Sequence, residues 1–313
     1  MPATTKIVPL LILTIFSLTA TAQYNSNIEE LINNKDYIRT HKTDTIEITE
    51  TEIGKGNKML LQAKGRYTFD EKGNKASHWD YCIDRGACDT IAVKETTYKY
   101  NTSNDPVEVT TKDIPSNSII FNQQWQYIYK EGKVSEEKTK STEMDEWSKK
   151  LLFYDSKGLV IKEKISVAAP NSDETSYYYS SKNNLDSIVH KTNTSKETQA
   201  FMYDAAANKI KTYYKYQGKQ IGGNALNGEE FEYYPDKKLK SKTITGYTTI
   251  SKEEYTYANG NLVEIKKSEK SKLIKSDFKL ESTTSLQYDE SGLLVLIRET
   301  YGKETTETTV KYK

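Results

Sequence analysis

Along most of this chain, apolar side chains occupy every second position for a few residues, give way to a short polar turn, and then resume the alternation. One unit recurs. It holds two apolar residues separated by a single position, then Asp-x-x-Gly or a relative of it, then an aliphatic. Nine copies can be aligned: "RYTFDEKGNKA", "TYKYNTSNDPVEV", "QYIYKEGKV", "LLFYDSKGLVI", "SYYYSSKNNLDSI", "AFMYDAAANKI", "EFEYYPDKKLK", "EYTYANGNLVEI" and "SLQYDESGLLVL". Their anchors, the second apolar residue of each pair, are Phe69, Tyr100, Tyr129, Tyr154, Tyr179, Tyr203, Tyr233, Tyr257 and Tyr288, spaced 24 to 31 residues apart. Two residues earlier stand Tyr67, Tyr98, Tyr127, Leu152, Tyr177, Phe201, Phe231, Tyr255 and Leu286. A spacing of two puts both members of a pair on one face of a strand. Each copy is therefore expected to be a β-hairpin.

The turn chemistry supports this. An aspartate carboxylate accepts hydrogen bonds from backbone N–H groups a few residues on, and glycine takes the positive-φ position that closes the turn. Asp70 with Gly73, Asp155 with Gly158, and Asp289 with Gly292 follow that scheme, and Asp204 supplies the aspartate alone. Copies with Asn184, Asn208 or Gly260-Asn261 are expected to fill the same conformation with tolerant residues. The same aspartates invite a calcium-ligand reading, but no Asp-x-Asp-x-Asp-Gly loop is present.

The ends read differently. Lys6, the apolar run "IVPLLILTIFSL" and Ala-x-Ala before Gln23 describe a cleavable secretory signal over residues 1–22. That run is short of the roughly 20 apolar residues a membrane helix needs. The mature chain is thus expected to be exported, to the periplasm, the outer-membrane surface or the exterior, and not to span a membrane after signal cleavage. Residues 23–60 form an N-terminal cap: "NSNIEELINNKDYI" offers Ser26 and Glu29 as a capping box for a short helix, and "DTIEITETEIG" alternates as a strand. Residues 61–313 hold the repeats. The terminal "ETTETTVKYK" also alternates, and Lys311 and Lys313 on it read as guards of an exposed sheet edge.

Composition narrows the function classes. Removing Lys6 from 45 basic residues leaves 44 against 44 acids, so no electrostatic capture of nucleic acid is expected. Twenty-four tyrosines against 7 phenylalanines suit sheets with one wet face. Cys82 and Cys88 in "CIDRGAC" are expected to pair in an oxidising compartment; the rival is a metal site shared with His78 and Asp80. His41, His78 and His190 lie in no nucleophile or metal motif and read as solvated surface residues. No cofactor motif is found. Trp79, Trp125 and Trp147 fall outside the repeated positions and are the candidate ligand-stacking aromatics; the plainer reading has them filling gaps beneath connections.

The segments "FYDSKGLVI", "YTFDEKGNKA", "LQYDESGLLVL" and "FMYDAAANKI" resemble the YD repeats of the Rhs family, over roughly residues 65–313. The arginine usual after the turn glycine is missing, and several copies lose the aspartate. The resemblance implies a coiling β-sheet, which in that family is sometimes closed around a toxin and sometimes used in adhesion. With nine copies and no cargo domain after them, the expected fold is all-β: an extended twisted sheet or open solenoid of hairpins with a short N-terminal helix. The expected function is a non-enzymatic envelope scaffold that binds a protein or polysaccharide. The alternatives are a carbohydrate-active enzyme on a β-repeat frame, or a remnant of a toxin shell or immunity component.

Overall fold

The computed structural model describes residues 32–53, 59–81, 91–144, 146–166, 172–192, 194–218, 227–274 and 276–313. The expected signal and the Cys82–Cys88 pair lie outside them. A short helix, α1 (Lys35–Thr40), precedes the sheet. The strands begin with β1 (Thr45–Ile53), β2 (Met59–Phe69), β3 (Lys75–Tyr81), β4 (Ala92–Tyr100), β5 (Pro106–Asp113), β6 (Ser118–Lys130) and β7 (Lys133–Ser141). They continue with β8 (Ser148–Tyr154), β9 (Val160–Ser166), β10 (Ser172–Tyr179), β11 (Leu185–Lys191), β12 (Ser195–Tyr203), β13 (Lys209–Gly218) and β14 (Asn227–Tyr233). The last are β15 (Leu239–Thr245), β16 (Thr249–Ala258), β17 (Asn261–Ser271), β18 (Lys279–Tyr288), β19 (Leu294–Tyr301) and β20 (Glu304–Tyr312).

Each strand pairs antiparallel with the next in sequence, and β20 pairs with β1 from Ile46↔Tyr312 to Ile53↔Thr305. This last pairing overturns the expected open array. The chain is a closed 20-stranded antiparallel barrel. The reason lies in the two terminal strands, whose alternations match. Ile46 and Ile48 stand opposite Tyr312 and Val310 on one face, and Glu47 stands opposite Lys311 on the other. Lys313 Nζ reaches Glu47 Oε1 at 2.8 Å. The lysines that read as guards of a free edge are the complement of an acid on the opposite edge.

Twenty strands about 4.8 Å apart close on a diameter of roughly 30 Å untilted, or about 40 Å at the usual tilt. Strands make their main contacts with hydrogen-bonded neighbours, as expected of a cylinder that is not flattened into a sandwich. The register fixes two faces. From Ile46 the partners run through Tyr67, His78, Thr96 and Thr111, and on through Tyr127, Glu137 and Lys150. Ile165, Thr175, His190, Phe201, Thr212, Phe231, Lys242 and Tyr255 continue the same face to Leu286, Ile297 and Thr308, which lies opposite Glu50 on β1. This face holds Thr212 and Thr308 at 0% exposure and Ile297 at 1%, whereas Phe153, Tyr178 and Met202 on the other are exposed. Side chains converge inside a cylinder and splay outside it, so the first face lines the lumen. Ile32 and Ile38, at either end of the α1 region, pack into one cluster with Ile46, Ile48, Phe69, Leu286, Leu294, Ile297 and Val310. The helix therefore lies against the inner wall beside the β1–β20 seam.

The turns behave as their chemistry predicts. Asp70 Oδ1 accepts from the backbone N–H of Lys72 and Asn74, Asp155 Oδ1 from Lys157 and Leu159, Asp204 Oδ1 from Ala206 and Asn208, and Asp289 Oδ1 from Ser291 and Leu293. Gly73, Gly158 and Gly292 take φ values of 76°, 83° and 83°. The left-handed residue in the glycine-free copies stands one position earlier than expected: it is Asn183, not Asn184, and Ala207, not Asn208. Two turns differ in kind. Glu131-Gly132 and Asn259-Gly260 have positive φ at both central residues, the geometry of a two-residue type I′ hairpin.

Every repeat hairpin also carries a β-bulge at its anchor, as at Phe153/Tyr154 and Met202/Tyr203. A bulge interrupts the ladder and leaves backbone groups to be satisfied otherwise. At four of the bulges the anchor hydroxyl of the following hairpin does this. Tyr154 Oη donates to the Val134 carbonyl at 2.7 Å, Tyr179 to Val160 at 2.9 Å, Tyr203 to Leu185 at 2.9 Å and Tyr233 to Lys209 at 2.7 Å. Each acceptor lies across from the previous anchor. On β20, Tyr312 repeats the bond to Leu294 at 2.9 Å.

Two stability outcomes follow. Ala207 sits at φ 65°, which costs an L-residue with a Cβ about 1 kcal/mol. Ala207→Gly should therefore raise the unfolding free energy by up to about 1 kcal/mol in urea titration. Tyr179→Phe, which keeps the ring but removes the hydroxyl, should lower it by about 1 kcal/mol with an unchanged far-ultraviolet spectrum.

Candidate functional site

The lumen is the largest concave surface that the strands build, and its lining follows from the repeat. Seven aromatics and two leucines, each two positions before an anchor, form a ring around the wall. The lining also holds charges, several of them paired. Lys150 Nζ lies 3.4 Å from Glu137 Oε2, Lys242 Nζ lies 2.9 Å from Glu229 Oε1, and Tyr255 Oη donates to Glu253 Oε2 at 2.5 Å. Burial pushes the Tyr127, Tyr177 and Tyr255 hydroxyls well above the usual phenol range, with nearby carboxylates adding to the effect. The Thr212 and Thr308 hydroxyls are buried and find no hydrogen-bond partner.

Of the candidate tryptophans, the structure brings no two together. Trp79, on β3, lies opposite Arg66 and faces outward, with the guanidinium 5.9 Å from its ring centre. Trp125, on β6, lies opposite Thr139 and faces the lumen. Trp147 is half-buried just before β8. Trp79 and Trp125 are strand residues within repeat hairpins, not fillers of connections. Trp125 has company that the sequence reading did not pick out: Tyr127 and Tyr129 continue its face along β6, with the two tyrosine rings 6.3 Å apart. Tyr129 is fixed by Asn101 Nδ2, which donates to its hydroxyl at 2.8 Å, and by a short bond from that hydroxyl to Asp105.

His41 is exposed as expected, but the other two histidines depart from expectation. His78 faces the lumen, stacks on Tyr67 with ring centres 4.0 Å apart, and lies 3.2 Å from Asp80 Oδ1. Burial holds it below the ordinary imidazole value, and Asp80 opposes that shift. His190 Nδ1 shares a 3.0 Å hydrogen bond with Thr175 Oγ1. The turn aspartates are not brought together. They stand one to a hairpin along one rim, each engaged by its own turn.

Two acids missed by the sequence reading do interact. Glu50 on β1 and Glu299 on β19 both face the lumen near the seam, on either side of β20. Burial raises both carboxyls above the ordinary value, Glu50 further by the charge of Glu299, while Lys267 lowers Glu299. Only the closed register reveals the pair, since 249 residues of sequence separate them (299 − 50).

The outer face carries cross-strand and same-strand ion pairs, including Lys149–Glu136 and Lys162–Glu174 at 2.8 Å and Arg298–Glu307 through Nε at 2.7 Å. Among the described residues, the outer face sets lysines and glutamates between its exposed apolar side chains, Phe153, Tyr178 and Met202 among them. No helix among the described residues is long and apolar enough to cross a membrane. No group of three or more metal-ligating side chains is assembled among them.

No family model matches the chain, and no curated protein matches it. Among solved structures, it is similar to a chain of the TcdB2–TccC3–Cdc42 complex, with a TM-score of 0.37 and 10% identity over 80% of this chain. A chain of TcdB2–TccC3 without Cdc42 gives 0.36, again at 10% identity over 80% of this chain. In both cases this chain spans only 16% of the other. A porin-like protein from Bacteroides uniformis gives 0.33 and 9% identity, over 87% of this chain and 96% of that one.

The seam acids generate a pH expectation. A carboxyl raised in the folded barrel is costly when ionised, and that cost is relieved as pH falls through its raised value. Glu50→Gln should therefore raise the melting temperature at pH 7.5, and the gain should vanish below about pH 4, where the wild-type carboxyl is already neutral.

Proposed function

We propose that the chain is an exported, non-catalytic, water-soluble barrel of the bacterial envelope that binds a glycan in its lumen. The observation that carries this reading is the aromatic run Trp125, Tyr127 and Tyr129 on the inner face of β6. Flat aromatic faces stack on the apolar faces of sugar rings, while neighbouring hydroxyls and amides bond their edges. Water solubility is supported by the ion pairs on the outside and the acids and lysines within. A Lys or Arg facing lipid at mid-bilayer costs about 2–4 kcal/mol, and the outer face carries such residues, Lys149, Lys162 and Arg298 among them. A non-catalytic role is supported by the turn aspartates, whose carboxylates are spent on backbone N–H groups.

One observation favours a second reading. Glu50 and Glu299 are two interacting carboxyls with raised protonation on a concave surface, the kind of pair that glycoside hydrolysis uses. A single experiment separates the two. The mature protein, purified without detergent, is screened on immobilised envelope polysaccharides and its soluble products are assayed for new reducing ends. The binding reading expects a monodisperse protein, retention that falls at least about tenfold in Trp125→Ala, and no new ends. Release of reducing ends, abolished by Glu299→Gln, would replace it with the hydrolase. A requirement for detergent would contradict the soluble barrel.

A further inference from the structure

The two ends of the barrel differ. The nine repeat turns and α1 occupy one end. The other is built from the links between hairpins and the β19–β20 turn, and part of that rim is apolar. The β17–β18 link holds Leu273 and Ile274 at its tip, exposed by 75% and 68%. Leu280 at the start of β18, Tyr247 in the β15–β16 link and Tyr301 at the β19–β20 turn are exposed by 61%, 61% and 53%. These side chains come from adjacent links of one sector of the rim.

The tip is held outward. Lys272 donates its backbone N–H to the Thr248 carbonyl at 2.7 Å and its Nζ to the Gly246 carbonyl at 2.9 Å, locking this link to its neighbour. Leu273 N–H donates to Ser271 Oγ at 3.1 Å. Around the tip the charge is one-sided. The run "KKSEKSKLIKSDFKL" over residues 266–280 has six lysines and two acids, in a chain whose net charge is +1. Lys270 Nζ lies 4.6 Å from the centre of the Phe278 ring. Taken as sequence alone, Lys266 to Lys275 read as a solvated strand face; in the structure Leu273 and Ile274 form an apolar tip flanked by Lys270, Lys272 and Lys279 at the end of the barrel.

We propose that this sector of the rim docks on an anionic lipid surface. Leu273 and Ile274 enter the boundary between headgroups and acyl chains, Tyr247 and Tyr301 lie at headgroup level, and the lysines meet lipid phosphates with their stems along the apolar tip. A second copy of the chain fits less well, because a two-fold interface would set one lysine-rich link against the other. The inference goes beyond the lumen and does not depend on what the lumen binds.

The test is co-sedimentation of the purified mature protein with vesicles of phosphatidylglycerol and phosphatidylethanolamine, with phosphatidylcholine vesicles as the control. Wild type should bind the anionic vesicles, bind phosphatidylcholine far less, and lose binding as salt rises. Leu273→Ser with Ile274→Ser, and separately Lys279→Glu with Lys303→Glu (Lys303 is exposed in the β19–β20 turn), should each cut binding about tenfold while leaving the circular dichroism spectrum and melting temperature unchanged. Absent binding by wild type, or binding by both double variants equal to wild type, would overturn the proposal. So would a concentration-dependent dimer in sedimentation that the Leu273→Ser, Ile274→Ser variant dissolves, since that would give the rim to a second copy.

Discussion

The hydrogen bond from an anchor tyrosine to the bulge of the preceding hairpin is the interaction on which the barrel depends. A hairpin alone buries too little to stand in water, and a bulge at its turn end weakens it further. The hydroxyls of Tyr154, Tyr179, Tyr203 and Tyr233 take the carbonyls at those bulges and so tie the fourth to seventh hairpins each to the one before it. The bond explains why the anchors are tyrosines more often than phenylalanines: the ring faces the lumen and the hydroxyl has a fixed acceptor. The first hairpin has no predecessor, and its anchor, Phe69, needs no hydroxyl. It is buried instead under α1 with Ile38 and Ile46. Tyr312 makes the same bond from β20 to the ninth hairpin, carrying the series to the seam.

Much of this was legible in the sequence, for local reasons. A two-residue aromatic spacing can only mean one face of a strand, and Asp-x-x-Gly closes a turn whatever surrounds it. The register of the turn was harder. Ala207 and Lys237 occupy left-handed positions that neither residue advertises, and there the hairpin overrides the local preference. Closure was not legible from the repeats at all. Every copy describes a hairpin and its neighbours, and none specifies how many strands bring the sheet back on itself. The signal lay at the termini, where Glu47, Ile46 and Ile48 complement Lys311, Tyr312 and Val310. Read singly, those lysines looked like edge protection; only as a pair of strands do they specify a seam.

The candidate site shows the same division. Trp125 stood out as an aromatic beyond the repeat, and it faces the lumen. Trp79 had the same standing in the sequence but points outward, because one residue of register exchanges the two faces. Trp125 stands two positions before Tyr127, so the face it shares with Tyr127 and Tyr129 was legible in the spacing. The meeting of Glu50 with Glu299 is a consequence of closure.

Closure is the central claim, and hydrogen exchange tests it most directly. In an open sheet, alternate amides of the outermost strands have no partner and exchange with solvent within seconds. In the closed barrel, β1 and β20 have hydrogen-bonded neighbours on both sides. Exchange followed by mass spectrometry should find peptides over residues 46–53 and 305–312 as protected as β8 or β16. Rapid exchange of half the amides in either terminal strand, with the interior strands protected, would contradict the barrel.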